Sequence, residues 1–190
     1  MIKKIISLSL MVGSVFAGDV MYSSKVKPVY LDGSSQKIEG KLLPTNAVEI
    51  LAEEGDRVKF KITGYQNPVA GNVIYFANGQ RIFSLAFSKI AKPNIKIVQE
   101  GKDGAWNLVS TEAYTTKGDF EKNVEPMYTK ANKLYSDNCS MCHSLHEVNH
   151  YTANQWPSLF QSMICRTPIE NDDVWMITQY LQKHASDMKK

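Results

Sequence analysis

Five consecutive residues, Cys139-Ser140-Met141-Cys142-His143, form a C-x-x-C-H run. Two thiols three positions apart can each add to one vinyl group of a haem, forming two thioethers. The adjacent imidazole then reaches the iron from the same side, so the macrocycle dictates both spacing and order. A zinc site would need a second ligand pair at matching spacing, and Cys165 is the only other thiol in the chain. A redox dithiol would expect a thioredoxin-like βαβ setting, which the helical pattern around this run does not provide. The run therefore predicts one covalently bound haem c, with Cys139 and Cys142 as the thioether residues and His143 as the proximal iron ligand.

The sixth iron position has several claimants. Met163 stands 20 residues after His143, in a helical-looking stretch from Thr152 to Ile164 that could fold back over the other haem face. A thioether ligand raises the potential and makes a reversible one-electron carrier. His150 is the alternative, and His146 comes third because it is so close to the attachment site. Met176 reads as packing and Met188 as tail. An open sixth position would instead make a haem-based gas or peroxide sensor or enzyme, although no distal acid–base constellation of the peroxidase kind is evident. Cys165, left over after the two thioethers, reads as a small buried hydrophobe before a reactive thiol. Trp156 and Trp175 read as walls of a haem pocket, as do Tyr128, Tyr135, Tyr151 and Tyr180, and His184 as a satisfied or rim histidine.

The elements that must hold these residues differ along the chain. Val124, Met127, Tyr128, Ala131, Leu134 and Tyr135 recur at helical spacing, with Pro126 tolerable only in the first turn. A second helix is predicted from about Glu170 to His184, with Val174, Ile177, Leu181 and His184 on one face. Upstream the period is two. Val58 to Ile62, Val73 to Phe76, Arg81 to Leu85, Ile95 to Val98 and Ala105 to Val109 read as strands, and Asn78-Gly79 as a hairpin turn. A small antiparallel barrel or curled sheet would bury them, with residues 18–47 adding one strand plus loops. The first residues read as a secretory signal. Lys3 and Lys4 precede an apolar run, and Val15-Phe16-Ala17 predicts cleavage after Ala17 and export to the periplasm. The expected fold class is α+β: a leader over 1–17, a β-rich domain over 18–110, and an all-α cytochrome c-like haem domain over 111–190.

Composition sets outer bounds. The chain has 190 residues with 22 Lys+Arg against 19 Asp+Glu, a charge too small and too scattered for nucleic-acid binding. No run approaches the 18 or so apolar residues of a membrane span, so no transmembrane segment is expected after cleavage.

The segments Cys142-His143-Ser144-Leu145, Asn149 to Trp156 (with Thr-Ala-Asn-Gln-Trp inside it) and Gln179 to Ala185 closely resemble the C-terminal haem domain of pentahaem cytochromes that serve trimethylamine N-oxide reductases. Thr63-Gly64-Tyr65, Val73-Ile74-Tyr75 and Gly79-Gln80-Arg81-Ile82 resemble the SH3-like segment that precedes that haem. The resemblance implies an SH3-like barrel before the haem domain. It also implies an electron-transfer protein, not an enzyme, that passes electrons from the respiratory chain to a periplasmic molybdenum reductase of N- or S-oxides. The chain departs from the family in carrying a single C-x-x-C-H and no quinol-oxidising tetrahaem module. A separate donor is therefore expected, either a quinol-linked oxidoreductase or a membrane multihaem cytochrome. A different periplasmic oxidoreductase as the customer is the alternative within electron transfer.

Overall fold

Alternation in Val58-Lys59-Phe60-Lys61-Ile62 sends Val58, Phe60 and Ile62 into a dry interior and leaves both lysines half-exposed, as the strand period requires. In the computed structural model, which describes residues 18–140 and 144–188, this segment belongs to one of the two longest strands of a ten-stranded antiparallel sheet. The leader and its cleavage point lie outside the described residues, as do Cys142 and His143.

The strands are β1 (Asp19–Ser23), β2 (Lys27–Tyr30), β3 (Gly40–Leu42), β4 (Ala47–Glu54), β5 (Arg57–Gln66), β6 (Val73–Ala77), β7 (Gln80–Phe87), β8 (Ile95–Gln99), β9 (Asn107–Thr116) and β10 (Phe120–Glu121). Three helices follow: α1 (Glu125–Cys139), α2 (Trp156–Ile164) and α3 (Asn171–Lys183). The chain is thus β-rich with its helices gathered at the end, an α+β arrangement. Strand order is β10-β1-β4-β5-β6-β7-β3-β2-β9-β8, and β5 also pairs with β9, so the path β5-β6-β7-β3-β2-β9 returns on itself. Its interior holds Val29, Leu42, Phe60, Ile62, Ile74, Leu85 and Val109. Gly64 allows β6 to come close at Tyr65–Tyr75, because a Cβ there would lie 2.5 Å from the Tyr75 carbonyl oxygen. In the Asn78-Gly79 turn only the glycine takes positive φ, at 76°.

Two expectations are corrected. Residues 18–47 hold three complete strands and the start of β4, not one strand with loops. They are too short for periodicity to show; β3 has three residues. Strand β9 runs on to Thr116, so sheet gives way to helix between Glu121 and Glu125 instead of after Ser110. The apolar signal fades there because the inward positions are Thr111, Ala113 and Thr115. The two threonine hydroxyls donate to the carbonyls of Asn94 (2.9 Å) and Pro28 (2.7 Å), so burial leaves neither unsatisfied.

The helices pack on one another and on β7. Met127, Ala131, Tyr135, Trp156, Phe160, Ile177 and Leu181 share a core with Ile82 of β7. Around Ile82 the free edge of β7 is occupied by side chains. The Gln179 amide donates to the Phe83 carbonyl (2.9 Å), the Gln182 amide to those of Ala153 (2.9 Å) and Arg81 (3.4 Å), and Asn154 accepts from the Arg81 N–H (2.8 Å). Lys183 closes the seam. Its ammonium donates to the Thr45 carbonyl (2.9 Å), the Thr45 hydroxyl (3.0 Å) and the Asn46 side-chain oxygen (3.0 Å), and lies 4.2 Å from the Phe76 ring centroid.

No carboxylate pairs with that ammonium among the described residues, and burial lowers its pKa from 10.5 to about 7. Between those values the unfolded chain holds the proton and the folded chain does not, so stability should rise with pH from about 7 towards 10.5 and level off above. Denaturant midpoints measured at several pH values are expected to show that rise, and Lys183→Met to flatten it.

Candidate functional site

Residue types along α1 decide where its last thiol points. Met127, Ala131, Tyr135 and Cys139 recur every four residues and are all buried, so Cys139 ends the stripe that faces the helical core, 7% exposed. The helix stops there, with the Ser140 N–H and hydroxyl both turned back to the Ser136 carbonyl (3.3 and 2.7 Å). The first half of the C-x-x-C-H is thereby fixed at a helix end, against Tyr135 and near Trp156.

α2 presents a parallel stripe, Trp156, Leu159, Phe160 and Met163, of which Trp156 and Phe160 are fully buried and Leu159 and Met163 half-buried. Leu134, Leu145, Ile164, Ile169 and Val174 are likewise half-buried against the helical core. A groove of about 560 Å³ runs between Gln161, Ile164, Cys165, Ile169, Val174 and Trp175. So many apolar side chains left half in water beside one thiol-bearing helix are what a flat apolar group would cover. Removing them from water favours such a group by ~25 cal/mol per Å². The residues present fit a haem.

His150 is exposed, stacked on His146 at 5.7 Å between centroids and edge-on to Tyr151 at 4.6 Å. Met163 lies on the inward stripe of α2. Met176 is buried in the helical core as expected, and Met188 packs against that core instead of trailing as a tail. His184 is a rim residue between Tyr180 (4.5 Å) and Tyr128 (4.8 Å), its Nδ1 2.8 Å from the Tyr180 carbonyl oxygen. Burial pushes the Tyr128 phenol up to about 12.

One reading is corrected. Cys165 is exposed, not a buried hydrophobe, because it caps the solvent end of α2. Trp175 is 38% exposed on the outer side of α3 and borders the groove, whereas Trp156 is sealed between Tyr135 (5.9 Å) and Tyr151 (5.2 Å). Sequence reasoning missed the polar uses of these aromatics. The Tyr135 hydroxyl donates to the His146 carbonyl and the Trp156 indole N–H to that of Val148, each at 2.9 Å. The available signal was position: Tyr135 precedes Cys139 by one helical turn.

Comparison with known proteins gives a consistent result. The family described as TorC third cytochrome c domain matches residues 15–120, a span that takes in the sheet and ends before α1. Cytochrome c-type protein TorC of Escherichia coli O157:H7 is 28% identical over 183 residues, covering 94% of this chain and 47% of that protein. TorC of Escherichia coli K12 is 28% identical over 176 residues, 90% and 45% respectively. Cytochrome c-type protein TorY of Haemophilus influenzae is 28% identical over 182 residues, 94% and 49%. The chain spans about half the length of these relatives. No solved structure matches.

Proposed function

This chain belongs to the family of the TorC third cytochrome c domain, and from that premise we propose that it is a periplasmic monohaem c-type cytochrome that carries single electrons to a molybdenum reductase of N- or S-oxides. The observation that carries the reading is Cys139, opening the single C-x-x-C-H from the buried end of α1 into a surround of half-buried apolar side chains. Cys139 and Cys142 would hold the haem by thioethers, His143 would bind the iron, and Met163 would take the sixth position, with His150 as the alternative. Haem c supplies a one-electron couple, whose potential a thioether ligand raises. Met163 is favoured because its side chain lies on the inward stripe of α2, whereas the exposed His150 ring is engaged with His146 and Tyr151.

The protein's part is burial and orientation. Leu134, Leu159, Ile164, Ile169 and Val174 would exclude water, and the aromatic pair of Tyr135 and Trp156 holds α1, which ends in Cys139, against α2. The closed strand path is read as the SH3-like barrel of the resemblance, fixed to the helices as a single body with them. Electrons would come from a separate quinol-linked or multihaem membrane donor. An N-oxide takes two electrons, so the carrier would deliver one at a time, in two visits or in sequence within a lasting complex.

Reduced protein mixed with a periplasmic molybdenum N-oxide reductase is expected to be reoxidised only when trimethylamine N-oxide is present. Met163→Ala should abolish the sulfur-to-iron charge-transfer band, lower the potential and slow that reoxidation. Reoxidation indifferent to reductase or oxide would count against the proposed acceptor, and an unchanged spectrum against Met163.

A further inference from the structure

The segment that follows the C-x-x-C-H has no helix or strand to shape it: residues 144–147 are irregular and 148–151 turn. Two of its backbone carbonyls, those of His146 and Val148, are met by side chains instead of by a ladder. Tyr135 is 1% exposed, its ring edge-on to Trp156, and a phenol so deeply placed must find an acceptor for its proton. It finds the His146 carbonyl, at 2.9 Å and eleven positions along the chain. Trp156, itself fully buried, meets the same need on the Val148 carbonyl, two residues on. Burial also holds the Tyr135 phenol above the ordinary tyrosine range, so it remains a donor at any pH the protein meets.

The consequence is topological. Cys139, Cys142 and His143 all fall between Tyr135 and His146, so one hydrogen bond closes a loop that contains the whole attachment motif. The clasp joins a residue of α1 to a residue of the irregular segment on the other side of the motif. We propose that Tyr135 is a positioning residue for the haem-attachment loop, its hydroxyl tying the chain that leaves the motif back to the helix that enters it, with the Trp156 indole as a second tie. The proposal rests on the haem c reading above and adds to it which groups hold the loop in register.

Tyr135→Phe removes one oxygen and keeps the ring against Trp156. Losing a hydrogen bond of this kind should raise local opening about tenfold, so amide hydrogen exchange across residues 144–151 should speed up by about that factor. Carbon monoxide should bind the ferrous haem protein, and imidazole the ferric one, faster than in the parent by a similar factor, with a shifted midpoint potential. Trp156→Phe should show the same changes centred on Val148. A variant that lost thermal stability with exchange across 144–151, ligand binding and potential all unchanged would overturn the proposal. Absence of covalent haem in the parent protein would overturn the cofactor reading instead, and hydrogen exchange would still decide whether the clasp holds the loop.

Discussion

Ile82→Asp is expected to unfold the helical part of the molecule although the substitution lies in a strand. Ile82 is fully buried, and the core it belongs to is made otherwise of α1, α2, α3 and the segments beside them. Truncation of such a side chain to alanine costs ~2–5 kcal/mol, and an unpaired carboxylate in its place costs more. The polar seam would magnify the effect. Arg81 and Phe83 stand on an edge of β7 where no strand follows, and their backbone groups are met by Gln179, Gln182 and Asn154. Gln179 and Gln182 are buried too, so parting the two surfaces strands donors and acceptors on both sides, at ~1–3 kcal/mol for each group left unpaired in the interior. Circular dichroism and haem retention would read the outcome together. A helical part that kept both its ellipticity and its haem with Asp at position 82 would mean that the helices fold without the sheet. Collapse of both would mean that it caps the helices.

That seam also explains what was legible in the sequence. Strands with an apolar alternation were readable, as were α1 and α3, because each buries one continuous face. The second half of β9 and the short β2 and β3 were not, since threonine hydroxyls and spans of three or four residues leave no hydrophobic period. Gln179, Gln182, Lys183 and Asn154 entered the reading only as letters in a resemblance. The physical task of Gln179, Gln182 and Asn154, completing the edge of a strand 73 to 101 positions upstream, is invisible to any local pattern. The one hint was polarity out of place: Thr178, Gln179 and Gln182 are buried between Ile177 and Leu181 and just beyond, where an amphipathic helix would be expected to place apolar groups or water. At the candidate site, the motif singled out Cys139 by chemistry alone, while exposure at Cys165 depended on where α2 ends, which spacing does not encode.

Replacing both Cys139 and Cys142 by alanine should remove every trace of haem from the denatured, extracted protein, while Cys165→Ala should leave the stain unchanged. Thioether formation is the only covalent hold the motif provides, so no partial signal should survive the double change. The single variants should each keep one thioether and a weaker stain. A second effect follows from packing. Leu159, Met163, Ile164, Ile169 and Val174 are half-buried against the helical core, and a bound haem would cover them further. If covering each is worth roughly half of the ~1.5–3 kcal/mol of a fully buried side chain, the haem-free protein forgoes several kcal/mol. At ~2–4 °C per kcal/mol for a chain of this size, its melting midpoint should drop by on the order of 10 °C. Haem-staining gels and thermal melts separate the two effects. Stain that persisted in the double variant would show that the thiols are not the attachment points. A melting midpoint that did not move would show that the half-buried apolar side chains are not the walls of the haem site.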